Sequence, residues 1–212
     1  MPECGCNIEI KDKAESKTLI ILLLINAVMF LVEIILGIIS DSTALIADSL
    51  DMLADATVYG IGLYAVGHSK LAKIKAAHLS GIFQILLGST VAIDVLRRFI
   101  FGSEPESLLM IIVGGVALVA NVICLMLITK HKDGEVHMRA SWIFSKNDVI
   151  ANLGIILAGV MVYLSGSRLP DLVIGMMIAI VVIRGGLHIM KDAKNEKQLQ
   201  QDQETGAASE QL

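Results

Sequence analysis

Six apolar blocks, each about 20 residues long, limit this chain more than any other feature, because a helix of that length spans the hydrocarbon core of a bilayer. The blocks cover roughly 19–39, 44–66, 77–101, 107–129, 140–164 and 170–190. The 212 residues are 55% hydrophobic with a mean hydropathy of +0.72, well above a soluble domain of this size. The expected fold is an all-α polytopic membrane protein with six transmembrane helices. An N-terminal arm over 1–16 precedes a helical domain over 17–192, and a polar tail covers 193–212. The first block is not a cleavable signal peptide: it is too long, contains Glu33, and runs into SDSTALIADS rather than a small-residue cleavage site.

Basic residues set the orientation. Lys11, Lys13 and Lys17 precede block one, and Lys70, Lys73 and Lys75 separate blocks two and three. Lys130, Lys132 and Arg139 separate four and five, and Lys191, Lys194 and Lys197 follow six. These segments share one side of an even-numbered bundle, which places both termini in the cytoplasm. The opposite loops, SDST, GSEPES and GSRLP, hold only Arg168, with Arg97 and Arg98 near the end of block three. The expected location is the cell membrane, as a multi-pass protein of the bacterial inner-membrane type.

Several function classes drop out. No basic aromatic surface suggests nucleic acid, no glycine-rich loop suggests a nucleotide cofactor, and no nucleophile–base pair or HExxH helix suggests an enzyme. The net charge of −4 is spread over the chain ends and the aspartates inside the blocks. The tail KDAKNEKQLQQDQETGAASEQL has no periodic apolar stripe and is expected to be a solvated, largely disordered end.

The segment ALIADSLDMLADA, inside block two, carries Asp48, Asp51 and Asp55. Asp51 and Asp55 lie one helical turn apart on one face, and Asp48 falls within about 60° of both. Each would cost about 2.5 kcal/mol or more facing lipid at the bilayer centre, so all three must line a bundle interior or a wet cavity. Protons or a cation must offset their repulsion, and a site that alternates between the two is a proton-coupled cation site. Asp48, nearest the outer loop, either joins that site or only caps a helix and faces water.

Block five supplies a second polar cluster, SWIFSKNDVIANLGIILAGV, in which Asp148 and Asn152 form an i, i+4 pair. Asn147 points about 100° away from them. With Asp51 and Asp55 on a facing helix, Asp148 would complete a three-carboxylate cage. Asn152 either adds an oxygen or serves as interhelical glue.

These residues resemble the cation diffusion facilitator family. STALIADSLDMLADA is similar to that family's second-helix motif, with Asp51 at its His-or-Asp ligand position and Asp55 at its following Asp. MRASWIFSKNDVIANLG resembles its fifth helix, with Asp148 at the Asp position. The resemblance covers about residues 16–192. It implies a homodimer in which each subunit exports divalent metal, usually zinc, with cadmium, cobalt, iron or manganese in some members, in exchange for protons. It also implies a tetrahedral site between helices two and five.

Three departures qualify that expectation. Phe144 stands where the fifth-helix His belongs, so the site has three carboxylates plus water or Asn152, or Ser145 turns in. An all-oxygen set is harder than a mixed one and admits manganese, iron or cobalt beside zinc. The chain ends before the family's cytoplasmic C-terminal domain, so dimerisation is expected from the helices, the glycine-bearing third and sixth being candidates. In GHSKLAKIKAAHLSG, Ala77 takes the place of an acidic residue frequent in the family.

Lesser candidates remain. Cys4 and Cys6 could form a cytoplasmic capture arm for a soft metal or be incidental in a mobile terminus. His68 and His78 could form a secondary site or face headgroups, and His131 and His137 sit in the loop before helix five. Glu33 is a proton relay or a hydrogen-bond partner. Asp94 is expected to pair locally with Arg97, and Cys124 to pack as a small hydrophobe. The function expected is proton-coupled export of divalent metal with no bound cofactor. The alternatives are a non-transporting membrane sensor or scaffold, and a passive cation channel.

Overall fold

The computed structural model describes residues 6–65, 70–129 and 136–209; side chains at several helix ends, 6–15, 136–141, 143–144 and 199–209 among them, lie outside the description. Among the described residues six helices follow one another: α1 (Cys6–Ile39), α2 (Thr43–Ala65), α3 (Lys70–Phe101), α4 (Ser107–Thr129), α5 (Val136–Ser165) and α6 (Leu169–Ser209). All six expected blocks are helical. Within the described residues, α1 and α3–α6 each contain a stretch long and apolar enough to cross a membrane. The stretch in α2 is broken by its three aspartates, yet at 23 residues the helix is about 34 Å long, enough to span. The protein is therefore a multi-pass membrane protein.

One expectation needs correction. The polar tail does not leave the helix: α6 continues to Ser209. Residues 191–204 are rich in Lys, Glu and Gln, which lose little side-chain freedom in a helix, and they continue a helix already nucleated in the bundle.

The position of α2 organises the bundle, because it touches each of the other five helices. The most extensive pairings are α3 with α6, α1 with α2, and α4 with α5. Gly81 and Gly88 of α3 and Gly185 and Gly186 of α6 are spent on the contact between those two helices. A Cβ on Gly186 would stand 2.7 Å from the carbonyl oxygen of Gly81, and one on Gly88 would stand 2.7 Å from Ile183 Cγ1. The small-residue face expected to serve dimerisation is thus buried within the protomer, where it lets two backbones approach.

Large apolar side chains cover the outside, among them Leu31, Ile35, Leu86, Ile93, Leu157 and Val173, as a lipid-facing surface requires. Inside, Leu45, Val91, Met110, Ile155, Leu172 and Val182 form the main core. A smaller cluster of Leu19, Leu22, Tyr59, Cys124 and Ile128 lies between α1, α2 and α4, and Cys124 packs there as expected. Asp94 accepts from Arg97 Nε at 3.0 Å and Nη2 at 2.9 Å.

Candidate metal centre

The N-terminus of α2 fixes where its acids fall. Ser42 is the N-cap: its Oγ accepts from Leu45 N–H at 3.2 Å, and its carbonyl accepts from Ile46 N–H at 3.2 Å. The two N–H groups left over find a carboxylate from another helix. Asp171 of α6, fully buried, accepts from Thr43 N–H at 2.8 Å, Ala44 N–H at 3.0 Å and Ser42 Oγ–H at 2.6 Å. The first orphan donors of α2 are satisfied, and a negative charge sits at the positive end of its dipole. Gly175, one turn further along α6, makes room: a Cβ there would lie 2.9 Å from Thr43 Cγ2.

Arg98 of α3 holds the same end of the bundle. It donates to the carbonyl oxygen of Asp41 at 2.7 Å and to Asp94 Oδ2 at 2.5 Å, and it also pairs with Asp41 Oδ1. Asp41 occupies the left-handed region with φ 49°, where a short polar side chain is tolerated. Its Oδ2 accepts from Glu104 N–H at 2.8 Å. The α1–α2 turn is thereby fastened to α3 and to the α3–α4 loop.

Down from this end, α2 presents its acids inward. Asp48 and Asp55 are buried, with 1% and 3% of their surface exposed. Asp148 of α5 comes within hydrogen-bonding reach of Asp55, so carboxyl groups from two facing helices meet as the sequence suggested. Asp51 interacts electrostatically with both. It is half-buried and lines a cleft of about 550 Å³ among α2, α5 and α6, shared with Asn147, Ala151, Gly154, Ile178 and Arg184. Among the described residues, no three His, Cys, Asp or Glu side chains are grouped so as to hold one metal ion, so Asp51 does not close the expected three-carboxylate cage with Asp55 and Asp148. The acids form a ladder along α2 instead.

The neighbours of the Asp55–Asp148 pair are specific. The Tyr59 hydroxyl donates to Asp55 Oδ2 at 3.3 Å and lies 3.4 Å from Ser145 Oγ. Ser145 is buried and reaches the acids through Tyr59 rather than directly. Asn152, fully buried, donates from Nδ2 to the Asp148 carbonyl at 2.8 Å, which leaves its Oδ1 without a donor. That oxygen is a buried acceptor with no hydrogen-bond partner, one turn of α5 beyond Asp148.

Asp48 is neither a helix cap nor exposed to water. Its carboxyl faces α1, within hydrogen-bonding reach of Glu33. Cys4 and His68 lie outside the described residues, and so do the side chains of Cys6, His137 and Phe144. His78 is exposed on α3, in a groove with Leu79, Lys75 and Lys194. Tyr59 and Asp171 were not anticipated. Tyr59 falls four residues after Asp55, and that i, i+4 spacing was the available signal. No sequence signal links Asp171 to residues 42–44.

Comparison with known proteins gives the family. The chain matches the cation efflux transmembrane domain over residues 19–196. A cadmium, cobalt and zinc/H(+)-K(+) antiporter of Bacillus velezensis is 24% identical over 126 residues, covering 58% of this chain and 40% of the relative. The zinc transporter ZitB of Pectobacterium atrosepticum is 23% identical over 199 residues, covering 87% of this chain and 62% of the relative. The chain thus spans about two-fifths to three-fifths of these relatives' lengths. A six-helix bundle with paired acids between α2 and α5, together with a domain match across most of its length, shows that the chain belongs to the cation efflux family, the cation diffusion facilitators.

Proposed function

We propose that the protein carries divalent metal cations out of the cytoplasm in exchange for protons, with Asp51, Asp55 and Asp148 as the ligating carboxylates. The reading rests above all on the meeting of Asp55 and Asp148 from facing helices inside a membrane bundle. Two carboxyl groups at that range and depth call for a proton or a cation between them. The relatives' names, one a zinc transporter and one a metal/H(+)-K(+) antiporter, support the same chemistry.

The ion reaches Asp51 through the cleft between α5 and α6. It then draws Asp51 toward Asp55 and Asp148, with Asn152 Oδ1 or water completing the shell. Ligating oxygens must be deprotonated, so metal binding releases protons. Rocking of the bundle exposes the loaded site to the far side, where protons compete for the same oxygens and the metal leaves. The all-oxygen donor set suits manganese, iron or cobalt as well as zinc. The working assembly is a homodimer in the bacterial inner membrane.

Proteoliposomes with an imposed pH gradient test this. Wild-type protein should accumulate metal against its gradient, while Asp51→Ala, Asp55→Ala and Asp148→Ala should each abolish uptake and remain folded. Flux indifferent to the pH gradient would mean a passive channel. Undiminished transport by Asp55→Ala would remove the site assignment.

A further inference from the structure

Among the described residues, five carboxyl groups line the inner faces of α1, α2 and α5, and the proposed site uses three of them. The other two, Glu33 of α1 and Asp48 of α2, are 0% and 1% exposed. Both oxygens of Glu33 and Oδ2 of Asp48 meet no N–H or O–H donor. The two carboxyls lie within hydrogen-bonding reach of one another, and Asp51 adds its field to Glu33. A buried acid normally receives several donors, as Asp171 does from Ser42, Thr43 and Ala44 at the start of α2. Two orphaned acids within reach of each other have no positive partner among the described residues.

We infer that Glu33 and Asp48 form a second station for the transported divalent cation, between the Asp51–Asp55–Asp148 site and the outer face. The inference rests on the proposed function above. Asp48 lies about 4.5 Å from Asp51 along the α2 axis and about 10 Å from Asp55, toward the helix N-terminus. The acids of α2 therefore make a ladder with different partners at its ends: Asp148 from α5 at the inner rung and Glu33 from α1 at the outer rung. One divalent ion neutralises the outer pair. Two carboxylates offer at most four oxygens, so the ion keeps part of its water, the mode in which hard cations bind to one or two carboxylates. A station this close to the first lets the ion leave in short steps, and repulsion between ions on adjacent rungs speeds release. Asp51, between the two rungs, serves as the hand-over ligand.

Calorimetric titration of the purified full-length chain with Mn²⁺, and separately with Zn²⁺, tests the second station. Wild-type protein should bind two ions per protomer. Glu33→Gln and Asp48→Asn keep side-chain shape and should each remove one binding event, leaving the remaining affinity within about threefold. Asp55→Asn should remove the other event and spare the outer one. Thermal melting of each variant shows whether it is folded. A wild-type stoichiometry of one, lost in Asp55→Asn, would overturn the outer station and leave the inner site standing. So would Glu33→Gln that melts normally and binds as many ions as wild type; if it also released fewer protons on metal binding, the pair would be a proton store instead. Full binding by Asp55→Asn, with one event lost in Glu33→Gln, would overturn the inner assignment alone.

Discussion

Asp171 and Asp148 are both buried aspartates in transmembrane helices, yet they are opposites. Asp171 receives three donors from Ser42, Thr43 and Ala44 and holds the start of α2 in place. Asp148 meets another carboxyl group, Asp55, with one tyrosine hydroxyl nearby on that partner. The first is a finished structural contact. The second is stable only with something added, which is what a binding site for a mobile cation requires. A buried charge inside a membrane is therefore not by itself a functional site: the count of donors around it separates scaffold from site.

The widest separation between the two should appear when each is converted to its amide. Asp171→Asn turns an NH₂ toward a helix N-terminus that needs acceptors, and should cost about 1–3 kcal/mol of stability, read as a lower melting temperature in detergent. Asp148→Asn relieves repulsion and should leave melting unchanged or raised while it abolishes metal uptake. The comparison breaks if Asp148→Asn melts early and Asp171→Asn does not.

A similar loss of stability, with no effect on the metal, is expected from the close contact of α3 with α6. A Cβ on Gly88 would already stand 2.7 Å from Ile183 Cγ1 and 3.0 Å from the Ala179 carbonyl, so Gly88→Leu must push the helices apart. Overpacking of this kind costs about 1–3 kcal/mol and should lower the melting temperature with metal affinity preserved. The weakest expected change is Tyr59→Phe. It removes one hydrogen bond of 3.3 Å to Asp55, worth about 0.5–1.5 kcal/mol. Metal affinity measured by calorimetry should shift by no more than about tenfold, with melting little altered.

Much of this could be read without coordinates. The six apolar blocks became six helices because hydrocarbon tolerates only segments that satisfy their own backbone. The helical period placed Asp48, Asp51 and Asp55 on one stripe, and the cost of charge in lipid turned that stripe inward. The polar tail was misread because helix propensity in a charged segment counts for little until a preceding helix supplies the nucleus.

Partners across helices were another matter. The sequence put Asp148 opposite the α2 acids by resemblance and by want of another partner. It could not show that Asp48 turns to Glu33, that Ser145 reaches Asp55 only through Tyr59, or that the glycines of α3 and α6 meet inside one protomer. It was silent on Asp171, 127 residues or more from the donors it serves. Periodicity and hydropathy are properties of one helix at a time, so sequence alone determined which residues lie on which face. Which faces meet depends on how six cylinders pack and rotate against one another, and the tertiary structure alone decided that.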